Sequence, residues 1–208
     1  MIAVIDFGMG NLHSCLKAVA RYSKDFSLIN QPEQMLKAKA VILPGDGAFD
    51  AAMRNLHALG FIGPLRDFVS SGGYLFGICI GFQILFEDSD EDLSGKGDLI
   101  PGLGFIPGNI RRFRGKPYTV PHMGWNQILI SRKNKILKNI ARNEYMYFIH
   151  SYRATEVPAD AVVANCDYYE EKFPVVIEKD NLFGTQFHPE KSDYEGLKIL
   201  ENFINLVQ

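Results

Sequence analysis

The opening part of the chain alternates short, wholly apolar runs with longer stretches of helical period. Residues 2–6 (IAVID), 40–43 (AVIL) and 74–78 (YLFGI) carry β-branched or apolar side chains at almost every position. That is the pattern of strands buried on both faces. Gly8 and Gly10 close the first run, and Pro44-Gly45 closes the second. An amphipathic stretch follows each of them. Residues 11–22 space Leu12, Cys15, Leu16, Val19 and Ala20 along one helical face, residues 49–59 and 62–70 repeat the period up to Ser71-Gly72-Gly73, and residues 81–86 begin another helix. Strand–helix alternation of this kind predicts parallel strands joined by covering helices.

The pattern changes after Asp88. Residues 88–101 are acidic and contain glycine, which predicts a loop. Short β-like pieces follow at 104–113, 126–130, 145–149, 161–165, 175–178 and 182–186, separated by turn residues. They read as antiparallel additions to the first sheet. Residues 193–207 place Leu197, Leu200, Phe203, Ile204 and Val207 on one helical face, with Asp193 as the expected cap. No repeat or low-complexity linker divides the chain, so residues 1–208 read as a single α/β domain: a mostly parallel central sheet, flanking helices and antiparallel additions.

Composition narrows the classes. A formal net charge of −2 with scattered basic residues argues against nucleic acid or an anionic membrane as partner. The one basic run, RRFRGK at 111–116, is short enough to be a solvated strand or loop edge. The start, MIAVIDFGMG, lacks a basic region followed by a long apolar one, and no stretch is long enough to span a bilayer. Three cysteines, Cys15, Cys79 and Cys166, cannot all pair and show no C-x-x-C spacing. That fits a reduced, cytoplasmic setting better than a disulfide framework or a zinc site.

Cys79 has a distinctive setting. In Gly77-Ile78-Cys79-Ile80-Gly81 a thiol stands where strand becomes helix, with glycine two residues away on each side. This is a nucleophile-elbow pattern with cysteine in the serine position. Small flanking residues let the strand turn sharply, lift the thiol above the sheet and aim the next N–H, that of Ile80, at a developing oxyanion. A buried structural thiol is the plainer reading of the segment taken alone; Cys15 and Cys166 lack any such setting and read as structural. A nucleophile needs a base and a group to orient it. His188 and Glu190 follow the last strand at i and i+2 around Pro189. In extended geometry they share a side, so the carboxylate can hold the ring. His122 and His150 are rival bases without an adjacent carboxylate, while His13 and His57 fall within helical patterns and read as structural. Gly8-Met9-Gly10 begins like a dinucleotide fingerprint, but His13 stands where the third glycine belongs, which argues against that site.

Together G-x-C-x-G and H-P-E resemble the class I, triad-type glutamine amidotransferases. The segments DFGMGNL, LPGDGAF, GLGFIPG, PHMGWN, YFIHSY and QFHPEKS are similar, in order and over essentially the whole chain, to the glutaminase subunits of imidazole glycerol phosphate synthase. The resemblance implies a flavodoxin-like amidotransferase fold and a Cys79–His188–Glu190 triad. In that family cysteine attacks the glutamine amide, histidine shuttles the proton and ammonia leaves. It further implies an oxyanion strand at Gly45 and Gly47 working with the Ile80 N–H. Gln83, Glu91, His150, Ser151 and Tyr152 become the implied glutamine pocket, with Glu91 meeting the α-ammonium. Asn11, Met123, Trp125, Tyr147 and Lys191 become the surface that docks a (β/α)₈-barrel cyclase of histidine biosynthesis, to which ammonia passes through a dry passage. No metal or organic cofactor is implied.

The chain departs from the family at Asp46, where relatives usually carry an apolar residue, and at Ile80 and Phe82, which replace leucine and methionine. An acidic group near an oxyanion is unfavourable unless it points to solvent or meets a cation such as Lys191. Three rivals to the cyclase-coupled reading are a paralogue feeding a sugar-modifying amidotransferase, a cysteine peptidase or γ-glutamyl hydrolase on the same architecture, and a non-catalytic binding subunit.

Overall fold

The computed structural model describes residues 1–207. Its strands are β1 (Ile2–Ile5), β2 (Phe26–Ile29), β3 (Ala40–Leu43), β4 (Tyr74–Ile78), β5 (Asp88–Ser89), β6 (Ile100–Pro101), β7 (Asn109–Arg112), β8 (His122–Ile130), β9 (Tyr145–His150), β10 (Tyr152–Thr155), β11 (Val162–Tyr168), β12 (Glu171–Lys179) and β13 (Leu182–Thr185). The helices are α1 (Leu12–Ala20), α2 (Phe49–Ala58), α3 (Ile62–Ser70), α4 (Ile80–Gln83) and α5 (Asp193–Asn205).

Nine strands form the main sheet in the order β2-β1-β3-β4-β13-β12-β11-β8-β9. The first five are parallel, and β12, β11, β8 and β9 continue the sheet antiparallel, as the sequence pattern predicts. Side chains alternate across it. Val4, Ile42 and Phe76 pack with Cys15, Val19, Leu200 and Phe203 of α1 and α5, whereas Ile5, Leu43 and Leu75 pack with Phe49, Ala52, Leu56 and Leu65 of α2 and α3. Strand apolarity at every position thus serves two cores.

Four expectations need correction. β2 shows no strand pattern in sequence because it lies at the sheet edge, with Ser27 and Leu28 exposed. The helix expected from residue 81 is one turn, Ile80–Gln83, and the chain then bends away. The 104–113 segment joins β5, β6 and β10 in a separate four-stranded sheet, β10-β7-β5-β6, instead of the main one. Asp193 makes no cap hydrogen bond; Ser192 stands at the cap position of α5, and its hydroxyl braces the preceding turn. The 111–116 basic run lies against the acidic loop, with Arg111 paired to Asp88 and Arg114 bonded to Asp90 at 2.9 Å. His13 and His57 lie on helices α1 and α2, as expected, and both are exposed.

Candidate active site

β4, β13 and the segments after them converge above the C-terminal edge of the parallel strands, where ligands bind open α/β sheets. Cys79 stands at the turn from β4 into α4 with φ 54° and ψ −102°, a strained backbone held by the Cys79 N–H donating to Thr185 O at 2.8 Å. The flanking glycines are required by contact. A Cβ on Gly77 would lie 2.3 Å from Gly81 O, and one on Gly81 would lie 1.8 Å from Leu43 O. No larger residue fits without moving backbone.

His188 reaches the same place from the far end of the chain. Its backbone N–H donates to Tyr147 O at 3.1 Å, and Ser192 Oγ donates to His188 O at 2.7 Å while accepting from Tyr147 N at 2.9 Å. Strand β9 therefore fixes the histidine. Nδ1 of His188 lies 2.8 Å from Glu190 Oε1, with both side chains buried. Nε2 is buried without a hydrogen-bond partner, which leaves it available to the Cys79 sulfur. Burial opposes charge on this ring, but the Cys79 thiolate and the Glu190 carboxylate outweigh it and raise its pKa to about 10. The three residues meet as one constellation.

The rival histidines form a different one. His150 Nδ1 lies 2.7 Å from Tyr152 O, an atom that can only accept, so this nitrogen carries the proton. In a neutral ring Nε2 then accepts, and His122 Nδ1 donates to it at 2.9 Å. His122 Nε2 in turn accepts from Asn126 Nδ2 at 3.2 Å, and the same Nδ2 donates to Asp167 O at 3.0 Å. Every ring nitrogen is used. Burial depresses the pKa of His122 to about 4; burial and the neighbouring His122 depress that of His150 to about 3. Neither ring can serve as base for Cys79.

A cavity of about 360 Å³ opens over the sulfur, lined by Cys79, Ile80, Gln83, Glu91, His150, Ser151, Tyr152, Gly47 and Lys191, together with Asp46, Pro121 and Ile149. Glu91 Oε2 accepts from Phe49 N at 2.7 Å, and burial raises its pKa. Gln83 is buried and donates through Nε2 to Tyr152 O at 3.2 Å and to Gln186 Oε1 at 3.0 Å. Gln186 is fully buried, and its Nε2 lies 3.9 Å from Cys79 Sγ. Sequence reasoning missed Gln186. The signal was available, since it stands two residues before His188 and extended chain aims i and i+2 to one side. The Ile80 N–H, expected to face an oxyanion, instead donates to Gly45 O at 3.4 Å. Asp46 is exposed at the cavity rim and, among the described residues, ion-paired with nothing, including Lys191.

Three of the expected docking residues, Met123, Trp125 and Tyr147, lie on the β8–β9 ladder. In the β8–β9 ladder Trp125 pairs with Tyr147 and Met123 with Ile149, while His122 pairs with His150. Alternation sends Met123 and Trp125 outward, 58% and 49% exposed, and turns His122 toward the core. Trp125 and Tyr147 rings lie 6.1 Å apart. Lys191 is half-buried at the cavity rim, and Asn11 is exposed where its side chain caps α1 by accepting from Ser14 N at 3.2 Å.

Residues 3–206 match the model of the family glutamine amidotransferase class-I. The chain belongs to that family. This amidotransferase is 42% identical, over 100% of its length and 97% of the relative's, to the imidazole glycerol phosphate synthase subunit HisH of Halalkalibacterium halodurans. It is also 42% identical, over 99% of its length and 94% of the relative's, to the subunit of the same name from a Synechococcus species. Its fold matches a crystal structure of a glutamine amidotransferase with TM-score 0.75 at 19% identity, covering 99% of this chain and 98% of the other. PurLQS from Thermotoga maritima gives 0.74 at 16% identity, over 100% and 98%. Those likenesses establish the amidotransferase fold.

Proposed function

We propose that this amidotransferase hydrolyses glutamine at Cys79 and supplies the ammonia to a (β/α)₈-barrel cyclase subunit, forming an imidazole glycerol phosphate synthase in the cytoplasm. The observation that carries the chemistry is the Cys79 sulfur at the floor of a cavity with a buried His188–Glu190 pair beside it. The names and full-length identity of the relatives support the pathway.

In this reading the thiolate attacks the carboxamide carbon of glutamine, and the imidazolium of His188 gives its proton to the departing nitrogen, releasing ammonia. The neutral ring then takes a proton from water, whose oxygen attacks the thioester. Glutamate leaves, and thiolate and imidazolium are restored. Glu190 keeps the ring oriented and charged. Glu91 receives the α-ammonium of glutamine, while Gln83, His150, Ser151 and Tyr152 form the wall around the amino-acid end.

The resting oxyanion site is occupied by protein, because Gly45 O takes the Ile80 N–H. Turnover requires that carbonyl to turn away, bringing the following N–H toward the sulfur. Glycine is suited to this because it tolerates both orientations of its peptide; here the absent side chain also leaves room for Ile80, whose Cγ2 a Cβ on Gly45 would meet at 2.2 Å. The exposed Met123, Trp125 and Asn11, with the half-buried Tyr147 and Lys191, form the docking surface in this proposal. Pro121 and Lys191 line the cavity, which supports a release of ammonia toward that surface. Ammonia released into bulk water would be protonated, so adjacency matters.

The test is glutamine turnover by the chain alone and with the cyclase and its nucleotide ligand. A slow basal rate that rises by orders of magnitude in the complex supports the proposal. Equal rates, or stimulation only by a sugar-modifying synthase, overturn the pathway assignment.

A further inference from the structure

We infer that Gln186 is a further catalytic residue of this site: its side-chain amide donates to the Cys79 sulfur and stabilises it as the thiolate. The inference rests on the proposed role of Cys79 as nucleophile.

The orientation of the Gln186 amide follows from its neighbours. Gln83 Nε2 lies 3.2 Å from Tyr152 O and 3.0 Å from Gln186 Oε1. Tyr152 O is a carbonyl and can only accept, so the group of Gln83 that faces it is the NH₂. That NH₂ has a second hydrogen, and it meets the carbonyl end of Gln186. The other end of Gln186, its own NH₂, is therefore the end directed at Cys79 Sγ, 3.9 Å away. Reversing the Gln83 amide would place oxygen against oxygen, and reversing that of Gln186 would place NH₂ against NH₂. Tyr152 O is fixed in turn by His150 Nδ1 at 2.7 Å, and through His150 and His122 to Asn126. Two runs of hydrogen bonds thus converge on Tyr152 O: one comes from Asn126 through His122 and His150, and the other starts at Gln83, whose second hydrogen goes to Gln186 and so sets the amide that faces the sulfur.

The sulfur's other neighbours do not replace this donor. Ile149 O, 3.9 Å from Sγ, can accept from a thiol but repels a thiolate. His188 Nε2 stabilises the thiolate while charged and withdraws that support when it passes its proton to the leaving nitrogen. The amide of Gln186 keeps both hydrogens throughout, and its contact strengthens as negative charge returns to the sulfur on thioester breakdown. It is also 0% exposed, so water does not compete for it.

The experiment is alkylation of the full-length chain by iodoacetamide across a range of pH, alongside glutamine turnover. Cys15 and Cys166 are buried, with pKa values pushed by burial to about 12, so the reagent reports on Cys79. Gln186→Met keeps the length of the side chain and removes the donor. It should slow alkylation at neutral pH by about ten- to a hundredfold, move its midpoint to higher pH and lower kcat by a similar factor, with the KM for glutamine little changed. Gln83→Met should instead raise KM. Unchanged alkylation and kcat in a folded Gln186→Met protein overturn the inference. A second measurement needs no variant at Gln186: the side-chain amide resonances of Gln186, followed by NMR in the parent protein and in Cys79→Ser. They should move as the cysteine ionises, and an amide that does not respond in the parent refutes the contact. Cys79→Ala separates the two levels of the argument. If it still turns over glutamine, the nucleophile assignment itself fails. If it is dead while Gln186→Met matches the parent, only the present inference fails.

Discussion

Two pairs built on histidine lie close to one sulfur and have opposite character. His188 bonds a carboxylate through Nδ1, has Nε2 unpartnered and is driven toward the charged state, with a pKa raised to about 10. His150 bonds a carbonyl and a second imidazole, and both of these rings are driven toward neutrality, at about 3 and 4. All three are buried. Burial disfavours the charge in each case, so the partner decides: a carboxylate and a thiolate overcome desolvation, and a neutral imidazole does not. A histidine near a nucleophile is thus assigned by what its other nitrogen touches.

Exchanging the two pairs' roles is the largest test. His188→Asn should lower glutamine turnover by about four orders of magnitude, whereas His150→Asn should stay within about tenfold in kcat and act mainly on KM. Comparable losses from both would erase the distinction. Glu190→Gln keeps the shape of the pair and removes its charge. It should cut kcat by at least about a hundredfold. It should also shift the alkylation profile of Cys79 to higher pH, since the ring loses the carboxylate that favours its cation.

Stability against pH reads the pairs with opposite sign. The depressed His122 and His150 bind fewer protons folded than unfolded below their ordinary pKa near 6.5. Stability should therefore fall as pH drops from about 6.5 toward 4, by about 1.4 kcal/mol per pH unit for each ring that the unfolded chain protonates. The raised His188 contributes stability that is fully present below about 6.5 and is lost as pH climbs toward its folded value of about 10. Denaturant titrations from pH 4 to 10 measure both limbs, and a flat acid limb would refute the neutral pair. His122→Phe gives the smallest effect. It fills the space between Tyr168 and Phe148, whose rings stack on His122 at 4.1 and 4.9 Å, but strands the ring nitrogen of His150. A loss of about 1 kcal/mol, with a shallower acid limb, is expected from thermal or denaturant melts.

The first of these pairs was legible in sequence and the second was not. Gly77, Cys79 and Gly81 encode a turn through local sterics, and His188 and Glu190 stand two residues apart in an extended segment, so short-range rules suffice for both. His122 and His150 meet because β8 and β9 pair in a register that brings them opposite across a long connection, and neither residue carries a mark of that register. The same reason hid the second sheet. The segment of β7 reads like the other half-buried strands and that of β10 was not read as a strand at all, and only tertiary pairing joins the two apart from the main sheet. Gln186 lay inside a segment already singled out for its histidine, yet its role depends on Gln83, 103 positions earlier in the chain. Of the residues proposed for docking, Trp125 was readable as an aromatic beside a glycine in a polar stretch, Met123 came only from the family resemblance, and both are exposed.

The β8–β9 hairpin has a consequence for how such a chain can change over time. Met123 and Trp125 meet the outside, while His122 and Asn126 support His150 in the pocket wall, so substitutions can retune one set without disturbing the other. Insertion or deletion of a single residue between His122 and Trp125 has no such freedom: it would set the tryptophan and the imidazole on the same face, so that one of them must leave its place. Point replacement is open to this segment, and a change of length is closed to it.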